Sequence, residues 1–106
     1  MIMNGILLIA EERKRQQEQE GWTPEHDDEH VNCEMANAAA TYAMDPEMRA
    51  GLTVMINGCL KDNIPPTWPW DPVWWKPSPG NRVKELVKAG ALIAAEIDRL
   101  LRAEEK

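Results

Sequence analysis

The chain has 106 residues, a formal net charge of −6 at neutral pH and 43% hydrophobic residues. This length supports one hydrophobic core, so we expect a single helical domain over residues 1–106. The acidic balance disfavours direct nucleic-acid binding, because attraction to a phosphate backbone requires a surplus of basic side chains.

The first predicted element is a helix over residues 3–20. We expect its apolar start, with Ile6, Leu7 and Ile9, to pack, and its charged half, 11–20, to face water. The apolar run 6–10 is too short to cross a membrane and leads into charged residues, so we expect neither a span nor a signal peptide.

Residues 20–34 come next and contain both histidines and six acidic groups. Thr23-Pro24 is typical of a helix start, with an N-cap followed by proline. If this helix continues, His26, His30 and Glu34 share one face, with Asp27 close to it. Two interpretations stay open: a solvated helix start whose acidic residues favour the helix dipole, or a site that binds a metal ion or other ligand.

Two helices are predicted before residue 61. The second helix of the chain begins near Pro24 or Val31 and ends near Ala43, and its apolar positions are Val31, Met35, Ala38, Ala39 and Tyr42. Asp45-Pro46 starts the third helix, which ends near Gly58 or Leu60. Its apolar positions are Met48, Leu52, Met55, Ile56 and Leu60.

A long loop is predicted over residues 61–81, which contain six of the eight prolines and four of the five tryptophans. Such proline density excludes a helix interior or a central strand. Two interpretations of the tryptophans stay open: two or three of them close the helical core, or they form a stacking surface for a base or a partner protein.

The last predicted helix is capped by Asn81 and runs from Arg82 to about Arg102. We expect its core face to contain Val83, Leu86, Val87, Gly90, Ile93, Ala94, Ile97, Leu100 and Leu101. The sequence as a whole predicts an all-α fold of about four helices, with the Pro/Trp-rich loop before the last one. Because Cys33 and Cys59 are too few and too far apart for a disulfide scaffold, we expect buried free thiols and a cytoplasmic location.

Two helical segments resemble the all-α, MazG-like nucleotide pyrophosphohydrolases. The stretch from Glu85 to Leu100 is similar to the last core helix of that group, and the stretch from Glu34 to Ala40 is similar to an earlier Glu-x-x-Glu helix. In the family, carboxylates one turn apart chelate magnesium, which neutralises the triphosphate and helps to activate water. Asn37 and Lys88 stand here where the second carboxylates would be, so it stays open whether this chain is an enzyme.

The resemblance implies a nucleotide- and metal-binding protein, with (d)NTP pyrophosphohydrolysis as the expected reaction. The predicted cation is Mg²⁺ or Mn²⁺, and its predicted ligands are His26, Asp27, His30 and Glu34. Glu34 and Asp28 are the predicted catalytic residues. Lys88 is expected to meet phosphate, and Trp22 is expected to stack on the base.

A second resemblance covers most of the chain. Residues 12–16, 20–30 and 86–93 are similar to small uncharacterised proteins of phages and prophages, which implies a viral protein in the host-cell cytoplasm. The alternative function is therefore a non-catalytic, anti-CRISPR-like counter-defence inhibitor that covers a basic surface of a host protein. Small size, negative charge, and Trp and Met side chains suit such contacts.

A homo-oligomer is also expected. Four-helix folds of the MazG-like type normally need a partner chain to complete their core. The small-residue faces at Ala38–Ala40 and Ala89–Ala91 are the predicted contacts of such an assembly.

Overall fold

Helices make up most of the described chain. The computed structural model describes residues 3–57 and 64–105, and only the backbone of 54–57. Within these ranges it has no strand and five α-helices: α1 (Gly5–Gln19), α2 (Pro24–Asp27), α3 (Glu34–Ala43), α4 (Pro46–Asn57) and α5 (Arg82–Glu104). The predicted all-α class, with four main helices and a long loop before the last, is confirmed. None of the helices in the described ranges is long and apolar enough to cross a bilayer.

Side-chain caps define where the helices begin. Asn4 Oδ1 accepts a hydrogen bond from the backbone N–H of Leu7, and Asn81 Oδ1 accepts one from Lys84. Thr23 caps α2 by accepting from the backbone N–H of His26, with proline at the first helical position. These bonds satisfy backbone donors that have no partner within the helix. The starts predicted for α2 and α5 are confirmed, and the predicted start of α1 lies two residues too early.

The helix α5 is central, since α1, α2 and α3 all pack against it. Alanines occupy the buried side of α5 and much of the buried side of α3, which allows the two helices to lie close together. The core cluster contains Met35, Ala38, Ala39, Tyr42, Trp68, Ala89, Leu92 and Ala95. The predicted buried positions of α3 are therefore confirmed, except that Val31 is 62% exposed.

A buried ion pair joins α4 to α5. Arg49 Nη2 donates to Glu85 Oε2 at 3.0 Å, and Arg49 Nη1 donates to the carbonyl of Thr41 at 3.2 Å. Glu85 is only 2% exposed and also accepts from the backbone N–H of Ser78. Met48, one of the predicted apolar positions of this helix, is 64% exposed. The predicted apolar positions at 55, 56 and 60 lie outside the described side chains.

Hydropathy gave the wrong buried face for α1 and α5. Ile6 is 81% exposed, whereas Gln16 in the charged half of α1 is 2% exposed. On α5 the buried residues are Glu85, Ala89, Ala91, Leu92, Ala95 and Glu96, and large apolar residues of the predicted core face point outward. Small side chains allow close helix packing, and the two carboxylates on this face are paired with arginines. Ala38, Ala39, Ala89 and Ala91 are thus used inside the chain, and their predicted role in contacts with another chain is wrong.

The second predicted helix is interrupted between α2 and α3. Cys33 has a φ of 63°, a left-handed conformation that cannot continue a helix, and Glu34 accepts from the backbone N–H of Asn32. Residues 26–33 contain mostly weak helix formers, which adopt the conformation that tertiary ion pairs favour. The predicted single helical face through His26, His30 and Glu34 is therefore wrong. Cys33 is free and exposed, which also contradicts the predicted buried thiol, and Cys59 lies outside the described residues.

Candidate functional site

A cleft lies between α1, α2, the Pro/Trp-rich loop and α5. Its volume is about 490 Å³, within the usual range for small-molecule sites. We call it the aromatic cleft because five of its lining side chains are tryptophan or tyrosine. Its lining residues are Glu12, Arg15, Gln16, Gln19, Glu20, Trp22, His26, His30, Tyr42, Trp68, Trp70, Asp71, Trp74, Lys76, Lys88 and Leu92.

One wall of the aromatic cleft is a continuous set of four rings. Trp22 and His26 are stacked with an interplanar angle of 2° and centroids 6.1 Å apart. His30 lies 4.9 Å from the His26 centroid and 5.2 Å from the Trp70 centroid. Two imidazoles, His26 in α2 and His30 three residues after its end, thus lie between two indoles. This wall offers flat π surfaces together with ring nitrogens that can donate or accept hydrogen bonds.

The Pro/Trp-rich loop closes the aromatic cleft on the side of the helical core. Trp68 is 9% exposed and lies edge-on to Tyr42, while Trp75 lies 4.8 Å from the Tyr42 ring. Tyr42 Oη accepts from the backbone N–H of Lys76, and burial raises the pKa of this phenol. Trp70 and Trp75 are half-buried, whereas Trp74 is 57% exposed. The interpretation that two or three tryptophans close the core is confirmed.

Lys88 and Lys76 are cations of the cleft that form no ion pair in the described ranges, and Glu12 and Glu85 act on Lys88 only at longer range. Lys88 Nζ donates to the carbonyl of Lys76 at 2.8 Å and lies 5.4 Å from the Tyr42 ring centroid. Among residues 3–57 and 64–105 it takes part in no ion pair. Burial, together with repulsion from Lys84, lowers the pKa of this ammonium. A half-buried cation of this kind is stabilised by an anionic ligand, because burying an unpaired charge costs free energy.

Arg15 has its charge matched inside the cleft. It donates to Glu12 through Nε and Nη2, both at 2.8 Å, and to Glu20 through Nη1 at 2.9 Å. Burial opposes ionisation of Glu12, but hydrogen bonds from Arg15 and Gln16 outweigh it and lower the pKa of this carboxyl. The lining contains three basic and three acidic side chains, so the cleft is far less acidic than the chain as a whole.

The predicted site residues divide into two groups. Trp22, His26, His30 and Lys88 all line the aromatic cleft. The three predicted carboxylates do not line the cleft, although Asp27 Oδ1 lies 3.3 Å from His26 Nδ1 and Glu34 contacts His30. Asp27 is fully buried and accepts from Arg13 at 3.2 Å, Asp28 pairs with Arg102 at 2.8 Å, and Glu34 Oε2 lies 3.3 Å from His30 Nδ1.

These positions decide how well the predicted ligands suit a metal ion. Asp27 faces a guanidinium, and no group of three or more His, Cys, Asp or Glu side chains in the described ranges is arranged to hold a cation. Glu85, the carboxylate singled out by the MazG-like resemblance, is enclosed by arginines. The donor set does not fit a protein-held metal centre, so Mg²⁺ or Mn²⁺ stays a prediction and we assign no chemical step to it.

Sequence reasoning missed Arg15 and Lys76 as residues of the site. They lie in a charged helix and in an irregular loop, where periodicity predicts no common face. Trp70 was anticipated only as one of four loop tryptophans that could form a stacking surface.

No match was found to a protein-family model, to a curated protein or to a solved structure. The MazG-like resemblance and the resemblance to phage proteins stay predictions.

Proposed function

We propose that the aromatic cleft binds a nucleotide, with the base against the ring wall and the phosphates at Lys88. The observation that carries this proposal is the half-buried Lys88 ammonium, which meets a carbonyl and a ring face but no carboxylate in the described part of the chain. An acidic chain that places a cation without a direct ion pair in a concave aromatic site has the features that favour an anionic, aromatic ligand.

The base is proposed to lie on the ring wall formed by Trp22, His26, His30 and Trp70. Stacking of a base on an aromatic side chain contributes about 1–3 kcal/mol. Trp74 lies at the rim, and Lys76 Nζ lies 5.8 Å from its ring centroid. A second cation is thereby available next to an exposed indole.

The phosphates are proposed to take their charge-assisted hydrogen bonds from Lys88 first. Two of its three ammonium donors are not used by the carbonyl of Lys76. Arg15 contributes less, because its guanidinium already donates to Glu12 and Glu20.

Pyrophosphohydrolysis of a (d)NTP stays part of the proposal through the MazG-like resemblance alone. Its predicted catalytic residues, Glu34 and Asp28, lie outside the lining of the cleft, and the two glutamates inside it, Glu12 and Glu20, are bonded to Arg15. The described geometry therefore supports binding more directly than bond cleavage.

Calorimetric titration with the common NTPs and dNTPs, with EDTA and then with Mg²⁺, tests the proposal. Lys88→Met removes a charge-assisted contact, and we expect it to weaken binding by about 10- to 100-fold. Lys14→Met is the matched control, because Lys14 is exposed and outside the cleft. Pyrophosphate release is measured in the same samples. Absence of heat at millimolar nucleotide, or equal affinities of Lys88→Met and wild type, would contradict the proposal.

A second candidate function is the non-catalytic counter-defence inhibitor that binds a basic host surface. The supporting observation is that Glu25 and Glu29 are exposed beside the cleft, so they are available to a protein partner. Their double replacement by lysine should abolish recovery of a basic host protein in a pull-down and leave nucleotide affinity unchanged. Equal recovery by both forms would contradict this candidate.

A further inference from the structure

The outer side of α5 is a stripe of large apolar side chains without cover. We define the α5 stripe as six residues that are 46–61% exposed: Val83, Leu86, Ile93, Ile97, Leu100 and Leu101. Their spacing of mainly three, four or seven residues places them on one side of the helix. Single exposed apolar residues are common, but a continuous row of six on one helix is not.

We propose that the α5 stripe packs against the α5 stripe of a second copy of this chain, in antiparallel orientation. The proposal follows from a conflict between hydropathy and packing. Periodicity predicts that this side of α5 is buried, whereas the chain buries the alanine side instead. The apolar side of α5 therefore has little surface of the described chain packed against it.

The extent of the stripe suits a small dimer interface. From residue 83 to residue 101 it is about 27 Å long, at 1.5 Å per residue. Six half-exposed aliphatic side chains leave on the order of 300 Å² of apolar surface, which is in the range of functional patches. A polar rim makes up roughly a third of a homodimer interface, so the stripe alone gives about 450 Å² per chain, below the roughly 600 Å² per chain of a small specific complex, and further apolar surface is needed beside it.

The start of α1 adds apolar surface at the edge of the stripe. A Cβ placed on Gly90 would lie 2.4 Å from Ile9 Cδ1, so Ile9 packs directly on α5 at this point. Ile6 is one turn before Ile9 on the same face of α1 and is 81% exposed, and Leu7 is 40% exposed. An exposed apolar helix start next to the stripe is explained by the same partner.

The spacing of the stripe favours a second copy over an unrelated protein. Positions 86, 93, 97 and 100 are separated by seven, four and three residues, which is the spacing of the seam of paired helices, while Gly90 between them is covered by Ile9 of the same chain. Two identical helices related by a twofold axis present matching seams to each other. The stripe can therefore serve as both halves of an isologous contact between two copies of the chain.

The helix dipoles give the orientation. The first turn of α5 contains Arg82, Lys84 and Glu85, and its last turn contains Arg102 and Glu104, so each end carries charges of both signs. An antiparallel pair opposes the two helix dipoles, whereas a parallel pair aligns them.

The interface leaves the aromatic cleft accessible. Lys88 and Ile97 are nine residues apart, which is two and a half helical turns, so they lie on opposite sides of α5. Dimerisation and nucleotide binding can therefore fail independently.

Sedimentation velocity over about 5–200 μM protein tests the dimer. We expect wild type to sediment at twice the 12.1 kDa chain mass, and Ile97→Glu to sediment as a monomer with unchanged helical circular dichroism. Val31→Glu is the matched control, since Val31 is 62% exposed and lies outside α5, and it should remain a dimer. A wild-type monomer at every concentration, or a dimeric Ile97→Glu variant, would overturn the proposal. Nucleotide affinity of Ile97→Glu should match that of wild type.

Cysteine cross-linking tests the orientation in a background where Cys33 and Cys59 are serine. Ile93 is near the middle of the stripe, so Ile93→Cys should form a disulfide with itself. A mixture of Val83→Cys and Leu101→Cys chains should form mixed disulfides, while Leu101→Cys alone should not cross-link. Efficient cross-linking of Leu101→Cys alone, without the mixed product, would overturn the antiparallel arrangement.

Discussion

Glu85 is the residue at which α4, the loop and α5 are joined. Its carboxylate accepts from Arg49 at 3.0 Å, from the backbone N–H of Ser78 at 3.1 Å and from Arg82 at 3.3 Å, while only 2% of the residue is exposed. Glu85→Gln keeps the shape and removes the charge, so the buried Arg49 guanidinium loses its counter-charge. Breaking one side of a buried ion pair costs about 3–5 kcal/mol.

The expected change in melting temperature follows from the chain length. Unfolding entropy is about 2.1 cal/mol/K per residue, which for 106 residues gives about 0.22 kcal/mol per degree. A loss of about 3–5 kcal/mol therefore lowers Tm by about 14–23 °C. Thermal denaturation followed by far-UV circular dichroism measures this shift.

Glu104→Gln is the control for Glu85→Gln, because Glu104 is exposed on the same helix. We expect its Tm to stay within about 2 °C of wild type, since exposed substitutions change stability by at most about 0.5 kcal/mol. An unchanged or raised Tm of Glu85→Gln, combined with loss of Mg²⁺ binding, would refute the structural role. It would instead identify Glu85 as a ligand of the kind that the MazG-like resemblance implies.

Three further predictions concern the cleft and the backbone. Because burial and Lys84 lower the pKa of Lys88, nucleotide affinity should fall as pH rises through this lowered pKa. Lys88→Arg should keep its affinity over the same range. A flat wild-type profile from pH 7 to 10 would contradict the role of Lys88. Since Cys33 has a φ of 63°, Cys33→Val should be less stable than Cys33→Gly by about 1–2 kcal/mol in urea denaturation, and equal midpoints would contradict the left-handed conformation. Gly90→Ala should lower the free energy of unfolding by about 1–3 kcal/mol through overpacking against Ile9. A double-mutant cycle with Ile9→Ala should show a coupling energy above about 0.5 kcal/mol. Additive effects of the two substitutions would contradict the contact.

Helix existence and helix starts were predictable from the sequence because their signals are local. Asn81, Thr23 and Asp45 each precede a helical segment and accept a hydrogen bond from a backbone N–H just beyond them. Proline density likewise marked the loop. Such signals depend on chemistry within four residues and require no tertiary information.

Buried faces were less predictable, because tertiary partners decided them. Glu85 and Arg49 are buried because each neutralises the other across 36 positions of sequence, and no periodicity reveals such a pair. The residues of the candidate site also differ in how far the sequence predicted them. The ring wall came partly from a visible cluster, Trp22 with His26 and His30, while Trp70 and Arg15 reached it from distant segments.

His26 of the ring wall lies in α2, which has only four residues and is too short to be stable alone. This helix is fixed to α1 by Arg13 and Asp27 and to α5 by Arg102 and Asp28. High ionic strength would weaken the exposed Arg102 bridge far more than the packed helices. Raised salt should therefore loosen the His26 end of the wall first, while Trp70, which packs on Trp68 of the core, keeps its place.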